Sequence, residues 1–319
     1  MSSLPRLCPN GHGTFSPECD VCLDCGVTLV NDRRGRVVGN EFRLDRLIGL
    51  GGMRSAVWDA VRIADELPCA VKIAEMSAES DEARRLLASA ALTWGLEHPN
   101  LATIYAIGQT DEGEAFVAME LLKGRTLQQV QHARGPFALG HALHVVREIL
   151  GALALVHGRQ VVHRDIKPAN IHLSQREGGG PWRVRLIDFG VAKRFQQYVP
   201  DGLDLARAPP GHHGPIIGTP EYMAPEQVLG IGCDPRSDLY QTGIVLHRLL
   251  TGELPFQGKD RMAFYEAHLR GTPRPPVLAA GAPPLPPVLV DIIARALAKH
   301  PAERFPNARE FLTALGQVR

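Results

Sequence analysis

The chain has 319 residues, enough for about two domains with substantial cores. Its 35 basic and 34 acidic side chains leave a net charge of +1, which argues against association with nucleic acid or a membrane surface driven by charge. A hydrophobic content of 45% is ordinary for a globular protein, no run approaches the ~18 apolar residues of a membrane span, and residues 1–7 lack an apolar signal core, so a cytoplasmic protein is expected.

Four of the six cysteines, Cys8, Cys19, Cys22 and Cys25, fall near the N-terminus with His12 among them. In a reducing compartment, clustered thiols favour a metal over disulfides. Cys8-Pro-Asn-Gly-His12 and Cys22-Leu-Asp-Cys25-Gly26 supply two turns, each with two candidate ligands and a glycine that lets backbone amides approach thiolate sulfur. Tetrahedral zinc needs four such groups, and a module this short cannot fold on a hydrophobic core alone. Residues 1–30 therefore resemble a zinc ribbon or zinc finger, with structural Zn2+ expected on Cys8, His12, Cys22 and Cys25. Cys19 has the same spacing to Cys22 and stays an alternative ligand, and a redox thiol cluster or a tail without metal is the competing reading.

Residues 31–41 are polar, with Arg33, Arg34 and Arg36, and read as a linker. From Phe42 short alternating strands begin, and Gly49, Gly51 and Gly52 lie in a hairpin whose glycines would let backbone amides close over phosphate oxygens. Cys69-Ala70-Val71-Lys72-Ile73 is an apolar strand carrying one lysine, which needs an anionic partner if buried. A helix is expected over residues 80–96, a strand over 115–119, and a core helix over 138–157 from the helical spacing of Leu143, Val146, Ile149, Leu150, Leu153 and Val156. The histidines of that last helix, His141, His144 and His157, read as packing or surface residues.

Val161-Val-His-Arg-Asp-Ile-Lys-Pro-Ala-Asn-Ile-His-Leu173 places a carboxylate, Asp165, two residues before a cation, Lys167, and five before an amide, Asn170. A carboxylate can orient a hydroxyl and take its proton, a lysine can neutralise a moving phosphoryl group, and an amide oxygen can hold a metal ion. Leu186-Ile-Asp-Phe-Gly190 follows, its Asp188 set after two apolar residues, where a bound cation would offset the cost of burial. Together these stretches resemble the catalytic loop and metal-binding turn of eukaryotic-type protein kinases in their bacterial form. The resemblance runs from Phe42 to Leu315.

It implies an α+β, two-lobed protein kinase fold: a small antiparallel β lobe with one helix over residues 42–121 and a larger, mainly helical lobe over 122–319. It further implies ATP and Mg2+ as cofactors, protein substrates with Ser or Thr acceptors, and a protein partner for the zinc module. The family pattern assigns phosphate cover to Gly49, Gly51 and Gly52, pocket walls to Val57 and Ala70, phosphate pairing to Lys72, and adenine contacts to main-chain groups of Glu120 and Leu122. It assigns Mg2+ to Asn170 and Asp188, and catalysis to Asp165 with Lys167, Asn170 and Thr219. Glu226 is expected to pair with Arg304, Asp238 to hold the catalytic-loop backbone, and Ser237 to cap a long helix.

Three departures stand out. The third glycine of the phosphate loop is missing, Ser89 occupies the slot where the family carries the glutamate that pairs with the lysine, and residues 191–217 contain no serine or threonine, only Tyr198. A phosphate switch on Ser or Thr is therefore excluded within that segment, and its His212-His213 pair reads as solvated loop. The expected function is a serine/threonine protein kinase. The alternatives are a pseudokinase scaffold that binds nucleotide, and a small-molecule kinase, which the protein-docking segment Gly218-Thr-Pro-Glu-Tyr-Met-Ala-Pro-Glu226 disfavours.

Overall fold

The structure, a computed structural model, describes residues 4–51, 55–175, 180–189, 192–194, 209–211, 216, 218–278 and 283–318. Two compact units are present: one comprises Met1–Leu96 and Ala102–Leu122, the other Glu97–Leu101 and Lys123–Arg319.

The first unit starts with three two-residue strands, β1 (Arg6–Leu7), β2 (Thr14–Phe15) and β3 (Val30–Asn31), hydrogen-bonded in the order β2-β1-β3. Beyond them a six-stranded sheet runs in the order β4-β5-β6-β7-β9-β8. Its strands are β4 (Val37–Val38), β5 (Phe42–Gly51), β6 (Ser55–Arg62), β7 (Leu67–Ser77), β8 (Ile104–Gln109) and β9 (Glu114–Glu120), all paired antiparallel. Helix α1 (Asp81–Thr93) lies between β7 and β8 in the chain and is capped by the Ser80 hydroxyl, which accepts from the Ala83 N–H at 3.2 Å.

Alternation along the strands splits this sheet's side chains between two cores. Ala56, Trp58, Ala60, Cys69, Val71, Ile73, Phe116 and Ala118 face one side, whereas Ala74, Ala115 and Val117 face the other and pack on Ala83, Leu86 and Ala90 of α1. The first side is covered from the N-terminus, since Leu7, Val30 and Val38 belong to the same apolar cluster.

Residues 31–41, expected as a linker, are thus packed structure. The Asn31 N–H donates to Glu75 at 2.8 Å, Arg33 is 2% exposed with its guanidinium on Glu114, and Arg36 pairs with Glu112. A Cβ on Gly39 would sit 2.6 Å from the Phe116 ring, so only glycine lets this turn lie flat on the ring. The reason for the difference is long-range: acids on β9 and in the turn before it neutralise the arginines that made the segment look solvated.

The second unit is mainly helical. Its elements are β10 (Arg125–Thr126), α2 (Leu127–Arg134), α3 (Leu139–Gly158), β11 (Val161–Val162), β12 (Ile171–Ser174), β13 (Arg183–Leu186), β14 (Lys193–Arg194), α4 (Pro225–Leu229), α5 (Pro235–Thr251), α6 (Arg261–Arg270), α7 (Pro287–Ala296) and α8 (Ala308–Leu315). Helix α3 is long and apolar enough to cross a membrane by length and composition, yet nine of its residues, including Leu143, Val146, Ile149 and Val156, are buried inside the unit against α5 and α8.

Helix α5 is capped by Asp234, whose carboxylate accepts from the Arg236 N–H at 2.8 Å, and not by Ser237. Proline at the first helical position fixes that register. The Ser237 hydroxyl donates to Glu226 at 2.6 Å instead.

Glu226 and Arg304 form the expected pair, with two parallel bonds of 2.8 and 2.9 Å and exposures of 1% and 0%. The remaining Arg304 N–H groups reach the carbonyls of Ala298, Arg236 and Lys299, so the fork is fully satisfied. Arg304→Ala should therefore cost about 3–5 kcal/mol, the penalty of stranding a buried carboxylate. Urea unfolding of the variant checks this, and a loss under about 1 kcal/mol would contradict it.

Candidate active site

The loop between β11 and β12 is held open by α5. Asp238, fully buried, accepts from the backbone N–H groups of His163 and Arg164 at 2.9 and 2.8 Å. His157, expected as a packing residue, lies 2.8 Å from the same carboxylate through Nε2. Arg164 adopts φ +70°, a left-handed conformation uncommon outside glycine.

The side chains of Asp165, Lys167, Asn170 and Thr219 then converge. The Thr219 hydroxyl donates to Asp165 Oδ1 at 2.9 Å and accepts from Lys167 Nζ at 2.6 Å. Asp165 Oδ2 takes Lys167 Nζ at 2.7 Å and the Asn170 amide at 3.0 Å. A carboxylate offers about four lone-pair sites. Three are used, so Oδ1 retains one for an incoming hydroxyl. The Asn170 amide nitrogen also donates to the Asp165 carbonyl at 2.8 Å, which leaves its Oδ1 as the atom able to meet a cation. Asp188, after β13, has φ +58°, and Phe189 packs its ring 4.4 Å from that of His163. Gly190 and most of residues 191–217, including Tyr198, His212 and His213, lie outside the described residues.

In the first unit, Lys72 is 5% exposed on β7, directly across from Val57 on β6 and Val117 on β9. Ala70, two residues earlier, lies on the same face and pairs with Met119. Gly49 pairs with Val57 and Gly51 with Ser55, while Gly52 lies outside the described residues. The Glu120 N–H is bonded to the Thr103 carbonyl at 2.8 Å, and Leu122 ends the unit. Ser89 is buried on α1, and its hydroxyl donates to the Leu86 carbonyl at 2.9 Å. Glu82, the nearest acid on that helix face, sits in its exposed first turn.

The N-terminal strands bring Cys8, His12, Cys22 and Cys25 together, their ligand atoms all within 4.8 Å of one another. Cys8 Sγ is 3.7 Å from both Cys25 Sγ and His12 Nδ1, and Cys22 Sγ is 3.5 Å from the same nitrogen. Cys19 is outside this group. Gly11 and Gly26, at φ +82° and +67°, form the two turns that carry the ligand pairs. Burial opposes ionisation of Cys8, but bonds from the His12 and Asn10 backbone and from the Cys22 and Cys25 side chains outweigh it and hold the thiol at about 7.

The protein kinase domain family matches residues 42–314. The chain belongs to that family. Among similar proteins, this chain is 36% identical over 286 residues to serine/threonine-protein kinase pkn3 of Myxococcus xanthus, covering 89% of this chain and 51% of that protein. It is 36% identical over 314 residues to Pkn1 of the same organism, covering 98% and 42%, and 33% identical over 296 residues to PknA of Mycobacterium tuberculosis, covering 91% and 64%. The chain thus spans about half the length of the curated relatives it matches. In fold it resembles the PknI kinase domain of M. tuberculosis, with a TM-score of 0.64, 24% identity, and coverage of 90% of this chain and 99% of that one.

Sequence reasoning left out two residues that shape the loop between β11 and β12. Gln227 and Gln241 both donate to the Arg164 carbonyl, at 2.8 and 3.0 Å. A buried amide in an otherwise apolar stretch of α5 was the available signal for Gln241.

Proposed function

We propose that this chain transfers the γ-phosphoryl group of ATP to serine or threonine hydroxyls of proteins. The observation that carries the reading is the Asp165 carboxylate, held by Thr219, Lys167 and Asn170 with one lone-pair site of Oδ1 left over for an acceptor. Asp165 would orient the acceptor hydroxyl and take its proton, and Lys167 would offset charge on the phosphoryl group. The names of the similar proteins support Ser/Thr specificity.

Contacts to the nucleotide are assigned to Gly49, Gly51, Gly52, Val57, Ala70, Lys72, Glu120 and Leu122. Asn170 Oδ1 and Asp188 are oxygen donors of the kind Mg2+ prefers and would hold it. When bound, Mg2+ neutralises phosphate charge. The test is labelled-phosphate transfer from ATP to a generic protein acceptor and to the chain itself. Transfer to Ser or Thr supports the reading, and its absence at saturating nucleotide overturns it. Ser89, which cannot form an ion pair with Lys72, favours the second reading, a scaffold that binds ATP without transfer; the same assay, paired with nucleotide titration, separates the two.

We further propose that Cys8, His12, Cys22 and Cys25 hold structural Zn2+ in a ribbon-like module. With Zn–S of about 2.3 Å and Zn–N of about 2.0–2.1 Å, a tetrahedron has edges of about 3.8 Å between sulfurs and about 3.6 Å from sulfur to nitrogen. The separations of 3.7 and 3.5 Å fit those edges, and a disulfide, with sulfurs about 2.05 Å apart, does not.

A further inference from the structure

Asp165 is flanked by two peptide groups that one buried side chain ties down. Gln241 Oε1 accepts from the Ile166 N–H at 2.8 Å, and Nε2 donates to the Arg164 carbonyl at 3.0 Å. The second Nε2 hydrogen goes to Gln227 Oε1 at 2.8 Å, while Gln227 Oε1 also accepts from the Ala224 N–H at 3.0 Å and its own Nε2 reaches the Arg164 carbonyl at 2.8 Å. Only one orientation of each amide satisfies this set, because the N–H groups of Ile166 and Ala224 must meet oxygens. Gln241 and Gln227 are 1% and 2% exposed, so water does not substitute for a missing partner.

The division of labour on α5 is clear. Asp238 fixes the N–H groups of His163 and Arg164, upstream of the carboxylate, and Gln241, three residues on and on the same helix face, fixes the peptides immediately before and after it. The φ of +70° at Arg164 is a conformation that needs outside restraint, and its carbonyl receives two donors. Ala224 belongs to the segment that begins at Gly218 and carries Thr219, the residue bonded to Asp165 Oδ1.

We propose that Gln241 is a positioning residue for phosphoryl transfer: its carboxamide locks both peptides around Asp165 and, through Gln227, registers them against the segment bearing Thr219. This rests on the kinase reading above. It acts through Asp165 and does not touch the reacting groups.

The test compares wild type with Gln241→Met, which keeps the volume and loses every hydrogen bond, and Gln241→Glu, which keeps the acceptor for Ile166 and loses both donors. Turnover is expressed per nucleotide-binding site, so that unfolded protein does not count. Both variants should lose about 10- to 100-fold in kcat, the scale of a 1 Å misplacement, with KM for ATP and for acceptor within about twofold. Hydrogen exchange across residues 161–170 should quicken in both. Adding Gln227→Met to Gln241→Met should cost less than the two single losses multiplied. A kcat per site equal to wild type, or unchanged exchange across that loop, overturns the inference. Should wild type itself transfer nothing, the kinase reading fails, and the exchange measurement still decides whether the clamp holds.

Discussion

Asp165→Asn should lower kcat by about 10²–10⁴-fold while leaving the fold and nucleotide affinity in place. The amide is isosteric, so Thr219 and Lys167 keep a neighbour of the same shape, but the group on which they converge can no longer accept a proton. Its nitrogen would also meet either the Lys167 ammonium or the Thr219 hydroxyl, so one of the bonds of 2.7 and 2.9 Å must weaken. The measurement is single-turnover phosphate transfer, which isolates chemistry from product release. A loss smaller than about tenfold would remove Asp165 from the role of base.

Removing the proposed zinc should have the second largest effect, and it should reach beyond the module. Protein purified without added zinc should carry about one equivalent, lost when Cys22 and Cys25 become serine and kept in Cys19→Ser, because Cys19 stands apart from the other four ligand atoms. Without the proposed metal, the module's own buried cluster among the described residues is Cys8, Cys22 and Leu29, too small to hold it folded. Leu7 and Val30 would then leave the apolar cluster of the six-stranded sheet, at a cost of about 3 kcal/mol. A chelator should therefore lower the melting temperature by roughly 6–12 °C. Metal content of zero, or a melting temperature indifferent to the chelator, would remove zinc from the account.

What could be read in the sequence was what chain-local spacing encodes. Asp165, Lys167 and Asn170 lie within six residues, so their convergence follows from one loop, and the pairing of Glu226 with Arg304 was expected because each sits in a recognisable context. The grouping of the five Cys and His candidates stayed open because Cys19 and Cys25 have equal spacing to Cys22; the fold brings Cys25, and not Cys19, to Cys8, His12 and Cys22. Arg33 was misread for a related reason. Its partner, Glu114, is 81 residues away, and no local pattern marks an arginine for burial. The cap of α5 was legible, since Asp234 precedes Pro235, but Ser237 looked equally suitable by residue type. For Gln241 the amide within α5 was the one local signal, and its role was not legible because its bonds run to Arg164, Ile166 and Gln227.

The covering of the small sheet has a practical corollary. Trimming the protein at Phe42, where the match to its family begins, would strip Leu7, Val30 and Val38 from a surface that includes Trp58, Val71, Ile73 and Phe116. It would also leave Glu114 without its guanidinium. Such a fragment would be sticky, and whatever it captured from a cell extract would report on an artificial wound in place of a native docking face.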